Sequence, residues 1–146
     1  MIKLKALAML AIATTLLAGC ASTAAAPATV APAAAGGTVN ATLTDMKISV
    51  DKTAVAAGPV TFVVKNSGAV VHELVVLKTD VSQDKIAMGT EVAGKVDETG
   101  NVGETGDVVA SGSNTFVVTL PAGHYVLICN EVGHYEAGMH MTFMVN

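Results

Sequence analysis

The chain has 146 residues, of which 14% are charged, 51% hydrophobic and 3% aromatic, and its formal net charge is −4 at pH 7. Beyond residue 20 it carries six lysines, no arginine and all twelve acidic residues. Because an acidic chain without arginine is poorly suited to phosphate backbones, we expect no nucleic acid among its partners.

Residues 1–19 have the features of a bacterial lipoprotein signal peptide. Lys3 and Lys5 precede an apolar run at residues 7–17 that is too short to span a bilayer comfortably. The run ends in Leu-Ala-Gly before Cys20, which resembles a lipoprotein cleavage box. We therefore expect lipidation of Cys20 and a lipid anchor in a membrane outside the cytoplasm, in the bacterial periplasm or at the cell surface. The alternative is an ordinary secretory signal followed by a chance cysteine.

The rest of the chain divides into a spacer and one domain. Residues 20–37 begin with the lipidated cysteine and continue almost entirely with Ala, Pro, Thr and Gly. Such a segment cannot bury a core, so it is predicted to be a disordered linker. Residues 38–146 are enough for a single domain with one hydrophobic core.

The pattern of the domain predicts β-strands almost throughout. Apolar residues alternate with polar ones or form short β-branched runs, separated by Gly, Pro and Asn-Ser-Gly turn signals. The clearest predicted strands lie at residues 39–50, 60–65, 70–77, 115–120, 125–128 and 138–145. Short strands at this spacing are typical of an antiparallel sandwich or barrel.

The strand pattern lapses at residues 79–112, called the insert below. This stretch holds seven acidic residues and only scattered apolar ones. Residues 82–88 are compatible with one or two helical turns, and the remainder is predicted to be an irregular surface excursion. A loop this long in a compact domain is either functional or mobile. The predicted fold class is therefore all-β with a short helical or irregular insert.

A thiol, an imidazole and a thioether stand at two equal intervals near the C-terminus, as Cys129, His134 and Met139. Once Cys20 is lipidated, Cys129 has no disulfide partner in an oxidising compartment, where a free thiol is a liability unless buried or metal-bound. Soft sulfur favours Cu(I) and imidazole suits Cu(II), so this ligand set points to copper. The alternative is that Cys129 is an inert core residue.

The segment between these residues, 129–139, is called the ligand loop below. Gly133 and Gly138 supply the backbone angles that such a loop needs to wrap three ligands around one ion. The alternative interpretation of His134 is an ordinary solvent-facing loop residue. Met139 has the alternative of a core residue, because it shares its parity with the apolar residues that follow.

A trigonal copper site with an axial methionine needs a second imidazole, and His72 is the best candidate. It lies in the predicted strand 70–77, so strand pairing must bring it to the ligand loop. The alternative is an ordinary strand histidine. The two other histidines, His124 and His140, are predicted to be surface residues from the alternation along their strands.

These segments resemble the cupredoxins, small copper proteins built as a Greek-key β-sandwich. The resemblance is carried by residues 60–68, by residues 71–77 with their His-Glu-Leu sequence, and by residues 123–145 with the spacing Cys-x₄-His-x₄-Met. Among them, the chain is most similar to bacterial cupredoxin-like copper-binding lipoproteins. The resemblance implies one type 1 (blue) copper ion with four protein ligands: His72, Cys129, His134 and Met139.

The resemblance also implies how the site works with its partners. In this family the imidazole of the C-terminal loop protrudes through an apolar patch and passes electrons to redox partners. Tyr125 fits the tyrosine that commonly staples the corner of the sandwich. Two positions depart from the family pattern: Glu73 stands where many members have Asn, and Val132 where Pro often precedes Gly-His. Both departures concern the rigidity of the ligand loop, and neither removes a ligand.

The predicted function is that of a membrane-tethered, monomeric one-electron carrier that serves redox partner proteins in the cell envelope. The alternative is copper sequestration, delivery or resistance, with Met139-His140-Met141 as a docking point for copper. An enzyme is not expected, because Ile128 and Asn130 flank Cys129 where multicopper enzymes place a histidine. Zinc would fit a thiolate and two imidazoles, but the thioether argues against it.

Overall fold

Nine β-strands and no helix make up residues 36–146, the part of the chain that the computed structural model describes. None of these residues therefore forms a helix able to span a bilayer. The predicted signal peptide, Cys20 and nearly all of the predicted linker lie outside the described residues. The strands in chain order are β1 (Gly37–Thr44), β2 (Lys47–Val50), β3 (Ala54–Val55), β4 (Gly58–Asn66), β5 (Val75–Lys78), β6 (Asn101–Glu104), β7 (Ser113–Leu120), β8 (Gly123–Ile128) and β9 (His140–Val145).

The strands form two sheets. One has the order β2-β1-β4-β7 and the other the order β3-β9-β8-β5-β6. Each sheet is mixed, because β1 pairs with β4 and β3 pairs with β9 in parallel, whereas the other pairs are antiparallel. Apolar residues of both sheets join in one buried cluster, so the architecture is a β-sandwich. The predicted all-β sandwich is confirmed, but the expected antiparallel pairing is wrong for β1–β4 and β3–β9.

The core follows from the alternation along the strands. On β4 the side chains of Val60, Phe62 and Val64 are fully buried and the residues between them are more exposed. The ring of Phe62 stacks on Phe116 of β7 at 5.2 Å and meets Phe143 of β9, in the other sheet, at 5.7 Å. Aromatic contacts thus join the two sheets across the interior.

The tyrosine predicted to hold the corner of the sandwich does so. Tyr125 is fully buried, and its hydroxyl donates a hydrogen bond of 2.7 Å to the carbonyl of Pro121. This bond joins the start of β8 to the turn that precedes it, which is the geometry of a tyrosine corner.

The strand predicted at residues 70–77 begins only at Val75, so that prediction is wrong for its first half. The side chain of Asn66 is the physical reason. Its amide donates to the carbonyls of Val70 and Val108, each at 2.8 Å, and its oxygen accepts from the backbone of Gly68. These bonds hold the chain after β4 in a loop, and His72 keeps only an isolated bridge to Val108.

Of the two forms predicted for the insert, helical or irregular, the structure has the irregular one, and residues 82–88 form no helix. Only a single turn forms there, with the backbone of Lys85 donating to the carbonyl of Ser82. The insert also holds the short strand β6, which pairs with β5 and was not predicted. This strand is largely exposed, so it lacks the apolar alternation that reveals a half-buried strand.

Candidate metal centre

Three predicted ligands meet at one point between the sheets and the ligand loop. The Nδ1 atoms of His72 and His134 lie 3.2 Å apart, and Cys129 Sγ lies 3.8 Å from the first and 3.3 Å from the second. His72 and Cys129 are fully buried, and His134 is half-buried. Residues 62 positions apart in the chain are thus brought into direct contact.

The size of this triangle fits a metal ion. The point equidistant from the three atoms lies about 2.0 Å from each of them. Imidazole nitrogens bind a first-row ion such as zinc at about 2.0–2.1 Å and thiolates at about 2.3 Å, so only the sulfur would need to move outward slightly. Two imidazoles and one thiolate in trigonal arrangement are the equatorial donors of blue-copper sites.

Met139 is fully buried in the same core cluster as Cys129. Its backbone N–H donates to the carbonyl of His134, and its carbonyl accepts from the N–H of Cys129, both at 3.0 Å. The residue therefore closes the ligand loop directly before β9. Its role as the axial ligand stays a prediction, as do the copper-binding roles of His72, Cys129 and His134.

The glycines of the ligand loop have the conformation expected of them. Gly133 and Gly138 have φ angles of 79° and 97°, in the left-handed region where other residues are strained. Each stands directly before a predicted ligand, and Gly133 also accepts a backbone bond from Ala137 within the loop. The loop thus turns tightly enough for His134 to face back toward Cys129.

Burial affects the two kinds of donor differently: it favours the neutral imidazole that binds a cation, but it also favours the neutral thiol, which must lose its proton to bind one. Burial raises the pKa of the Cys129 thiol, against the opposing effect of the backbone N–H groups of Glu73 and Glu131. Burial, followed by the neighbouring charge of His72, lowers the pKa of His134. The metal-free site is therefore stable with a neutral thiol and a neutral His134, and binding of a cation releases the thiol proton.

Asp45, at the tip of the turn between β1 and β2, orients the ring of His72. Its Oδ1 lies 3.1 Å from His72 Nε2, so that nitrogen carries the proton and Nδ1 is left free to bind. The backbone N–H of Ala69 and then the ring of His72 hold the pKa of Asp45 below its usual value. Gly68 makes room for this pair, because a Cβ there would overlap Asp45 Oδ1 and lie 2.8 Å from His72 Nε2.

Glu73 contributes to the site through its backbone, and its side chain is anomalous. Its N–H points at Cys129 Sγ at 3.4 Å, a contact that favours the thiolate. The residue is only 7% exposed. Burial raises the pKa of Glu73 to about 7; Lys95 opposes this shift, and Glu131 adds to it.

The insert covers the outer face of the second sheet and holds the ligand loop. Asn130 accepts from the N–H of Val96 at 2.8 Å and donates to its carbonyl at 3.2 Å, and it also donates to Glu98 at 2.7 Å. Tyr135 donates to the carbonyl of Gln83 and accepts from the insert's backbone as well. The loop that carries three predicted ligands is therefore fixed from outside as well as from the core.

Substituting Asn130→Ala is expected to loosen this connection. The change leaves the buried N–H and carbonyl of Val96 without partners, which costs about 2 kcal/mol of unfolding free energy. Chemical denaturation measures the loss, and copper should pass faster to a chelator. The exposed Asn40→Ala in β1 is the matched control and should change copper release little. Equal release rates in the two variants would mean that the insert does not hold the ligand loop.

The two histidines predicted to be surface residues are half-buried instead. The ring of His140 packs at 4.8 Å against Tyr135, and His124 Nδ1 contacts the carbonyl of Thr79. Both face the outer side of the second sheet, which the insert covers. Neither belongs to the three-residue cluster at Cys129.

Comparison with solved structures supports the same fold. Auracyanin from Roseiflexus castenholzii is 24% identical over 78% of this chain and 99% of its own, with a TM-score of 0.59. Auracyanin A, a blue copper protein from Chloroflexus aurantiacus, is 26% identical over 75% of this chain and all of its own, with a TM-score of 0.55. Rusticyanin from Thiobacillus ferrooxidans is 18% identical over 75% and 77%, with a TM-score of 0.56.

A comparison with curated protein sequences finds no significant match. The family model of the sulfocyanin (SoxE) domain, in contrast, matches residues 20–146, which is most of the chain. The resemblance inferred from the sequence is thus confirmed at the level of the family. The chain belongs to the sulfocyanin (SoxE) domain family and is a cupredoxin.

Proposed function

We propose that this protein is a one-electron carrier whose redox centre is formed by His72, Cys129, His134 and Met139. Its cofactor is one type 1 copper ion, which supplies a Cu(I)/Cu(II) couple when bound, and cupredoxins are generally electron carriers. The observation that carries the proposal is the convergence of two imidazole nitrogens and one thiol sulfur within 3.8 Å of one another.

The surroundings of the site support fast electron exchange. His72 is held by Asp45, and the ligand loop is held by Asn130 and Tyr135. Ligands fixed in this way keep nearly the same positions in both oxidation states, so little reorganisation accompanies electron transfer. A site meant to release its copper would gain from a loosely held loop.

Two exposed apolar side chains, each close in the sequence to a predicted ligand, support contact with a redox partner. Val71 directly precedes His72 in the sequence and is 37% exposed. Val132 lies two residues before His134 and is 58% exposed. Exposed apolar side chains close to a half-buried imidazole would suit brief docking of another protein. We propose that the partners are redox proteins of the cell envelope.

The location of the carrier is proposed from the sequence alone. A lipid on Cys20 would anchor the chain outside the cytoplasm, in the periplasm or at the cell surface. Residues 20–37 would then serve as a spacer, which lets a monomeric domain reach both its electron donor and its acceptor.

The experiment that tests the function compares spectra, electron exchange and copper retention. Oxidised, copper-loaded protein should show an intense visible band that disappears on reduction and returns on oxidation. It should exchange electrons rapidly with a small redox reagent and keep its copper against a mild chelator. A colourless Cu(II) protein would refute the site, and ready loss of copper with slow electron exchange would favour copper delivery.

A further inference from the structure

One oxygen of the Glu73 carboxylate has no hydrogen-bond partner among the described residues. The residue is 7% exposed, and its Oε1 is buried without a hydrogen bond. Burying an ionised carboxylate alone is costly, and buried carboxylates are normally paired, hydrogen-bonded or bound to a metal ion. The unused oxygen therefore points to a ligand.

Two more carboxylates approach the same place from other parts of the chain. Asp107 comes from the segment between β6 and β7, and Glu131 comes from the ligand loop. One oxygen from each of these residues and one from Glu73 lie within 4.8 Å of one another. Asp107 is exposed and Glu131 is half-buried, so the cluster is open to solvent on one side. Three like charges held this close are stabilised by a cation among them.

We propose that Glu73, Asp107 and Glu131 form a binding site for a hard divalent cation, calcium by preference. Calcium binds oxygens at about 2.3–2.6 Å, so two oxygens on opposite sides of the ion are about 4.6–5.2 Å apart. Magnesium demands near-ideal octahedral geometry and dehydrates reluctantly, so three carboxylates from separate segments suit it less well. One oxygen of each carboxylate lies within 4.8 Å of the other two, which is compatible with the flexible oxygen coordination of calcium, and water completes the coordination on the open side.

This cation site adjoins the copper ligands but does not depend on them. Glu73 follows His72 and its N–H contacts Cys129 Sγ, whereas Glu131 lies two residues after Cys129. A bound cation would join the loop before β5 to the ligand loop. Its positive charge would also favour the reduced, less positive form of the copper centre, so calcium should raise the reduction potential.

Calcium titration of the mature, copper-loaded protein by isothermal calorimetry tests the proposal. The wild type should bind one calcium ion per chain with a Kd of roughly 10⁻⁴–10⁻³ M, as in other exposed extracellular calcium sites. Asp107→Asn and Glu131→Gln should each weaken binding at least tenfold. Glu91→Gln, which removes an exposed carboxylate of the insert outside the cluster, should leave the affinity unchanged.

The visible spectrum, recorded without calcium, tests the copper site alone. A failure of the cation site can therefore be told apart from a failure of the electron carrier. Blue wild-type protein that binds no calcium at millimolar concentrations would overturn the cation site and leave the carrier intact. Calcium binding that is equally strong in blue Asp107→Asn protein would overturn it too. Asp107 is not adjacent in the sequence to any predicted copper ligand and lies outside the ligand loop, so this variant decides the question even if Glu131→Gln disturbs the loop.

Discussion

Copper-loaded protein that carries Cys129→Ser is expected to lose its visible absorption completely. The sulfur lies 3.3 and 3.8 Å from the two Nδ1 atoms, so it is the only soft equatorial donor of the triangle. A serine hydroxyl is a hard donor and does not form the copper–thiolate bond from which the colour arises. Since loss of a group that merely supports a metal ligand costs about 10–100-fold in affinity, copper binding should weaken by at least about 100-fold.

Two methionine variants are the controls for this experiment. Met139→Leu should keep the colour and shift the reduction potential, because a weak axial ligand tunes the potential without carrying the absorption. Met144→Leu lies on the partly exposed face of β9 and should change neither. Circular dichroism of the serine variant verifies its fold. A folded Cys129→Ser protein that stays blue would contradict the proposed site.

The C-terminal part of the site could be predicted because it is local. The thiol, the imidazole and the thioether lie within eleven residues, and the glycines between them mark a tight loop. The apolar residues that share the parity of Met139 include Phe143 and Val145, and both are buried in the core. These patterns arise from residues close together in the sequence, so they can be recognised without knowledge of long-range contacts.

The surroundings of His72 could not be predicted, since they depend on long-range contacts. Asp45 meets this ring only because parallel pairing of β1 and β4 brings two distant turns to one end of the sheet. The loop that carries His72 is shaped by the side chain of Asn66, whereas its Val-rich sequence favours a strand. Side-chain bonds of this kind overrule local propensity.

The sequence contains a signal that the insert covers the outer face of the second sheet. Residues 125–128 are continuously apolar, and a strand with one face in water would alternate. In the structure Tyr125 and Leu127 face the core between the sheets, while Val126 and Ile128 face a second buried cluster. That cluster includes Val96 of the insert and Tyr135 of the ligand loop. The unbroken apolar run therefore indicates that the outer face of the second sheet is covered.

Substituting Glu73→Gln is expected to stabilise the copper-free protein by about 3 kcal/mol at pH 8 and by almost nothing at pH 4. Burial raises the pKa of Glu73 from 4.5 to about 7, so the folded state holds its proton more tightly than the unfolded state does. Below pH 4.5 both states are protonated and the carboxyl costs nothing. Between pH 4.5 and 7 the unfolding free energy of the wild type falls as the pH rises. Above pH 7 the loss is complete and amounts to about 1.4 kcal/mol for each unit by which the pKa is raised.

Urea denaturation of copper-free protein with a calcium chelator, at pH 4, 6 and 8, measures this effect. The chelator matters because a cation bound to Glu73 would itself offset the cost of the buried charge. Glu91→Gln removes an exposed carboxylate and should change stability little at any of these pH values. If Glu73→Gln were no more stable than the wild type at pH 8, the ionised carboxylate of the wild type would already be compensated within the protein. Calcium added to the wild type should then have no stabilising effect either, so one set of samples tests the buried charge and its proposed ligand together.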